Sequence, residues 1–78
     1  MSILMHKNPE PRWQDIQSVL ENNGFVEIKF DDNWYVFMQK GKKNIRIPKL
    51  NKISKPCLDS IIQASDIDEN MFLDALRK

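Results

Sequence analysis

Apolar positions recur at helical spacing near the start of the chain. They lie three or four residues apart: Trp13, Ile16, Val19 and Leu20. This spacing predicts an amphipathic helix that begins at Pro11 or Arg12 and ends at Asn23. Proline is accommodated in a first helical turn, and Gly24 favours termination because glycine adopts the left-handed conformation that follows a last turn. Residues 1–10 are predicted to form a loose arm.

The pattern changes to alternation between Gly24 and Pro48. Three short strands are predicted there: Phe25–Phe30, Trp34–Gln39 and a segment from Asn44 to Pro48. They alternate apolar with polar positions or are rich in aromatic and β-branched residues. Turn-forming residues connect them at Asp31-Asp32-Asn33 and at Lys40–Lys43. One face of the first strand holds Val26, Ile28 and Phe30, and the other face holds Glu27 and Lys29.

Helical periodicity returns after the third strand. Ser54 is positioned to cap a helix that runs to about Ala64, with a stripe of Leu58, Ile61 and Ile62. Asp66 or Asp68 starts a last short helix, whose apolar side is Met71, Phe72, Ala75 and Leu76. The predicted fold class is α+β, with helices on one face of a three-stranded antiparallel sheet. Residues 11–78 form one predicted domain.

The middle strand is apolar on both sides, so its pattern does not choose a buried face. Tyr35 and Phe37 lie on one side, and Trp34, Val36 and Met38 lie on the other. If Phe37 faces the helices, the second set stands exposed and forms a partner-binding patch. In the alternative, the N-terminal arm or a second copy of the chain covers these three side chains.

The charges nearly cancel, at a formal net charge of +1, but they are unevenly distributed. The segment 40–55 contains no acidic residue. Its candidate phosphate contacts are Lys40, Lys42, Lys43, Arg46, Lys49 and Lys52, and Trp34 offers an aromatic face on which a base can stack. These residues are the predicted RNA-binding set. The alternative is a solvated basic turn, which is common in small proteins.

Other chemistry is sparsely represented. The single cysteine, Cys57, cannot form an internal disulfide and is expected to be a partly buried thiol. His6 is the only histidine, and it has no neighbouring ligand set, so we expect no metal site and no cofactor. No apolar run approaches the length of a membrane span or of a secretion signal. A cytoplasmic location without a membrane partner is the expectation.

From Trp13 to Leu76 the chain resembles the HicA toxins, which are messenger-RNA interferases. The resemblance lies in the element order, a Gly-Phe opening the first strand, Phe37 in the second and an Ile-Pro closing the third. Leu58, Ile61-Ile62 and Phe72-Leu73 also match the spacing of the family's second helix and tail. The resemblance implies a fold like that of double-stranded RNA-binding domains, an endoribonuclease activity and an antitoxin partner.

The departures from that family concern the residues that carry its chemistry. Counting back from Phe37, the position of the catalytic histidine is held by Trp34, which has no titratable nitrogen. A second histidine position is held by Leu50, and Asp66 replaces a glycine near the end of the second helix. No catalytic residue is therefore assigned. Asp31 and Asp32 are expected to form the turn rather than to act as proton acceptors.

Three functions follow as hypotheses. The first is a HicA-like toxin-family protein of a type II toxin–antitoxin system, which binds RNA with weak or lost cleavage. The second is a catalytically silent module that binds a protein, or a second copy of itself as a homodimer, through the open sheet face. The third is a nucleic-acid-binding protein that has no protein partner. Salt-dependent RNA binding separates the first and third from the second.

Overall fold

The computed structural model of the protein describes residues 10–77. Its elements are α1 (Trp13–Asn22), β1 (Val26–Ile28), β2 (Tyr35–Lys40), β3 (Lys43–Pro48), α2 (Lys55–Ser65) and α3 (Glu69–Leu76). The predicted α+β class and the predicted order of elements are confirmed. The predicted arm lies outside the described residues except for Glu10. No helix within residues 10–77 has the length and apolar character needed to cross a membrane.

The strands form one antiparallel sheet in the order β1-β2-β3, with β2 in the centre. Hairpin pairing of Lys40 with Lys43 leaves a two-residue turn, and Gly41 has a φ of +58° there. One row across the sheet joins Ile28, Phe37 and Arg46. Because directly paired residues point to the same side, these three side chains share one face.

The core lies between the other face of the sheet and the helices. Its strand residues are Val36, Met38, Ile45 and Ile47, and its helical residues include Ile16, Leu20, Ile61 and Phe72. Helices α1 and α2 pack on the sheet, and α3 packs on both of them. Phe25, which precedes β1, is also buried. This arrangement is the one that places helices on a single face of the sheet.

The structure resolves which side of β2 is buried. Val36 is 3% exposed and Met38 is 1% exposed, so both belong to the core. Their predicted role in a partner-binding patch with Trp34 is wrong, because their side chains face the helices. Tyr35 and Phe37 instead point to the uncovered side, where they remain half-buried.

The first strand is shorter than predicted, since pairing with β2 covers only Val26–Ile28. Phe30 lies beyond the ladder, and the backbone N–H of Asp32 donates to its carbonyl at 2.8 Å. The last helix begins after Asp68, whose carboxylate accepts a hydrogen bond from the Met71 N–H. Of the two predicted starting positions, Asp68 is therefore the N-cap of α3.

Candidate nucleic-acid interface at the Trp34 corner

The Trp34 corner comprises Asp32, Trp34, Lys49 and Leu50, where β2 begins and β3 has ended. Asp32 builds one side of it. Its Oδ1 atom accepts hydrogen bonds from the backbone N–H groups of Trp34 at 2.7 Å and Tyr35 at 3.1 Å. A carboxylate that caps two amides in this way forms an Asx turn. The expectation that Asp32 forms the turn is confirmed.

The other side of the corner continues from β3. The backbone N–H of Lys49 donates to the Trp34 carbonyl at 2.8 Å, which extends the β2–β3 pairing by one step. The Lys49 ammonium lies 3.4 Å from the Asp32 carbonyl and 6.0 Å from the centre of the Trp13 ring. The Leu50 carbonyl accepts from the Trp13 N–H at 3.1 Å. Helix α1 therefore holds this side of the corner.

Trp34 and Leu50 both belong to this corner, and both are exposed. Trp34 is 76% exposed and Leu50 is 53% exposed. The corner thus presents an indole and an aliphatic side chain beside the backbone of Lys49.

The exposed side chains of the corner offer groups that bind. An exposed indole stacks on planar groups, and an adjacent ammonium attracts phosphate. General acid–base catalysis needs a titratable group within hydrogen-bond reach of the reacting atoms. The Asp32 Oδ1 atom is already engaged by two amides, and neither Trp34 nor Leu50 titrates.

The basic residues of segment 40–55 do not form one patch. The Lys40 ammonium donates to the Asn23 carbonyl at 2.9 Å, and Lys43 lies 4.0 Å from the Asp66 carboxylate. Both stand at the hairpin end of the sheet. Lys49 stands at the opposite end, six residues along the chain, which is about 20 Å for an extended strand. Lys42 and Lys52 are exposed. Of the predicted RNA-binding set, only Trp34 and Lys49 meet at the corner.

A second surface is the open side of the sheet, for which the sequence predicts Trp34, Val36 and Met38 instead of the residues that form it. The open face, as we call the side of the sheet away from the helices, carries Val26, Ile28, Phe30, Tyr35, Phe37 and Arg46. The rings of Phe30 and Phe37 meet edge to face with 4.8 Å between centroids. The Arg46 guanidinium lies 4.7 Å from the centre of the Tyr35 ring. This face follows from the strand register, which the residue pattern of β2 alone does not give.

A cavity of about 210 Å³ lies elsewhere, between the helices. Aliphatic side chains line it, among them Ile53, Leu58, Leu73 and Leu76. Charged residues also line it, and two of them, Lys55 and Asp59, form an ion pair of 3.1 Å. Its lining includes no residue of the Trp34 corner or of the open face.

Comparison of the chain with protein-family models, with curated proteins and with solved structures finds no match.

Proposed function

We propose that the protein is a HicA-like member of a type II toxin–antitoxin system that binds RNA and cleaves it weakly or not at all. Support comes first from the order helix, three antiparallel strands, helix, helix. It comes also from Trp34 and Leu50, which both belong to the Trp34 corner and which, by the resemblance, stand at histidine positions of that family. Asp66 adds to it, because a residue with a φ of +63° occupies a position where that family has glycine.

The observation that carries RNA binding is the exposed Trp34 indole at a corner where the Lys49 backbone pairs with the Trp34 carbonyl and the Lys49 ammonium lies 3.4 Å from the Asp32 carbonyl. Stacking of one base on an aromatic side chain contributes about 1–3 kcal/mol and tolerates any base. A lysine close to the stacked base can contact the phosphate backbone and release counterions from it. That contact weakens as the salt concentration rises, because counterion release is then less favourable. Together they provide one stacking position and one phosphate contact for a single-stranded RNA.

The absence of strong cleavage follows from the same corner. Attack by a ribose 2′-hydroxyl requires a group that accepts its proton. Trp34 holds the position where the resemblance implies such a group, and an indole accepts no proton near neutral pH. The protein is therefore expected to retain RNA rather than to degrade it.

Binding to a labelled single-stranded RNA of about ten nucleotides, followed by fluorescence anisotropy at increasing salt, tests this function. We expect binding that weakens steeply with salt, and a loss of about 5- to 150-fold for Trp34→Ala, as removal of one stacked base implies. Trp34→Phe should retain most of the affinity. Met71→Ala, which truncates another exposed apolar residue, should have no effect.

Two results would count against the proposal. One is RNA binding that is absent, or that Trp34→Ala leaves unchanged. The other is rapid RNA cleavage by the purified protein, measured on the same oligonucleotide, because proton transfer would then occur without a titratable side chain at position 34.

A further inference from the structure

The open face is an apolar surface that no element of the described chain covers. Val26 is 61% exposed and Phe30 is 62% exposed, and Ile28, Tyr35 and Phe37 between them are half-buried. The rings of Phe30, Tyr35 and Phe37 form a continuous group, with 6.3 Å between the centroids of the last two. Contiguous exposed apolar surface of this kind marks interaction sites in soluble proteins.

One charge stands on this face. Arg46 pairs across the ladder with Phe37, and its guanidinium stacks on Tyr35. The ion pairs among residues 10–77 are Arg12–Asp15, Lys43–Asp66, Lys55–Asp59 and Asp74–Arg77. Within that part of the chain Arg46 therefore has no carboxylate partner. Aromatic residues with arginine, and few other charges, are the composition of protein-interface cores.

The charge distribution of the open face distinguishes between the molecules that could bind there. Interfaces with nucleic acids are strongly positive, yet Lys40, Lys43 and Lys49 lie at the two ends of the sheet and Arg46 is the one cation on the face. A second copy of the chain would bring a second Arg46 and no carboxylate from its own open face. Burying both guanidinium groups without partners is costly. The face is complementary to a carboxylate set among apolar side chains.

We propose that the open face is a docking surface for a segment of another protein that presents apolar side chains next to an aspartate or glutamate. The apolar side chains cover Ile28, Phe30 and Phe37, and the carboxylate pairs with Arg46. An arginine–carboxylate pair fixes the orientation of the segment because the guanidinium donates in a planar fork. This surface is separate from the Trp34 corner, so the inference does not depend on RNA binding.

Selection from a displayed library of random peptides of about 12 residues tests the proposal. We expect the peptides that bind the wild-type protein to combine leucine or phenylalanine with aspartate or glutamate. Synthetic copies should lose at least about tenfold in affinity to Arg46→Ala and to Phe30→Ser, as truncation of an interface hot spot does. Lys52→Ala, which removes an exposed cation outside the open face, should bind them as the wild type does.

A charge-reversed protein provides the sharper test. Selection on Arg46→Glu should yield peptides that carry lysine or arginine in place of the acids. The proposal would be overturned if the wild-type selection yielded peptides without acidic residues. It would also be overturned if Arg46→Ala left the affinity of the selected peptides unchanged. Sedimentation that shows a wild-type dimer, lost in Phe30→Ser, would identify a second copy as the occupant instead. Circular dichroism melting of each variant verifies that it is folded.

Discussion

At the scale of single residues, position 34 determines the chemistry that the corner can perform. The surrounding backbone is well defined, because Asp32 caps the turn and the Lys49 N–H pairs with the Trp34 carbonyl. The site is thus positioned by its neighbours and not by the indole itself, which is largely exposed. A different side chain at position 34 should therefore be displayed in the same place without disturbing the core.

This leads to a gain-of-function prediction. The double substitution Trp34→His with Leu50→His introduces two imidazoles, which titrate near neutral pH and act as general acid and base. We expect RNA cleavage at least about tenfold faster than that of the wild type, with a bell-shaped pH profile. The measurement is the breakdown of a labelled RNA from about pH 5 to pH 9. Trp34→Phe with Leu50→Ala is the control, and equal inactivity of both double variants would argue against a catalytic ancestry of this corner.

Asp66 provides a second residue-scale prediction. Its φ of +63° at the C-cap of α2 is left-handed, a conformation that glycine adopts at little cost. We expect Asp66→Gly to raise the free energy of unfolding by about 0.5–1 kcal/mol in urea denaturation. Its exposed contact with Lys43, at 4.0 Å, contributes little. Lys43→Ala should accordingly leave stability nearly unchanged, and a loss of stability in Asp66→Gly would show that the aspartate side chain stabilises the cap.

At the scale of elements, the N-terminus of α1 is stabilised by one carboxylate. Asp15 accepts from the backbone N–H of Arg12 at 3.2 Å, and its Oδ1 lies 3.3 Å from the Arg12 guanidinium. The side-chain hydrogen bond from Arg12 is the main cause that lowers the pKa of Asp15 from its usual value of 3.8. A negative charge in the first turn also interacts favourably with the helix dipole.

The pH dependence of stability follows from the lowered pKa of Asp15. The pKa of Asp15 is lower in the folded than in the unfolded protein. Its contribution to the free energy of unfolding is therefore complete above pH 3.8 and is lost as the pH falls through the pKa of the folded state. We expect Asp15→Asn to destabilise the protein near pH 7 and to have a smaller effect at roughly pH 2, in urea denaturation at both values. Arg12→Ala should also reduce the pH dependence. An effect of Asp15→Asn that is the same at both values would exclude this role.

Element order could be predicted from the sequence, but the facing of β2 could not be read from its own residues. Both of its faces are apolar, so period-two alternation does not indicate which face is buried. The missing information lies in the neighbouring strand. Ile45 and Ile47 alternate with polar residues, and the two-residue turn at Gly41 fixes the register that sets Met38 opposite Ile45. Combining the turn with the pattern of β3 would have predicted the buried face of β2.

At the scale of the whole molecule, composition gives the net charge but not which charged side chains lie close together in the fold. The basic segment follows β3 from one end of the sheet to the other, which separates Lys43 from Lys49 although they are close in sequence. Conversely, Trp34 and Lys49 are distant in sequence and adjacent in space, because the Lys49 N–H donates to the Trp34 carbonyl where the β2–β3 pairing continues. The candidate site depends on strand pairing, and strand pairing is a tertiary property.

The hairpin of β2 and β3 also has a consequence for how the chain folds. Its two-residue turn closes the shortest loop in the sheet, and closing a short loop costs little conformational entropy. Packing of α1 against α3, in contrast, must wait for contacts across most of the chain. The hairpin is therefore expected to form early and to act as a template on which the helices assemble. During folding, the strand that follows Trp34 is therefore expected to pair before α2 packs on the sheet.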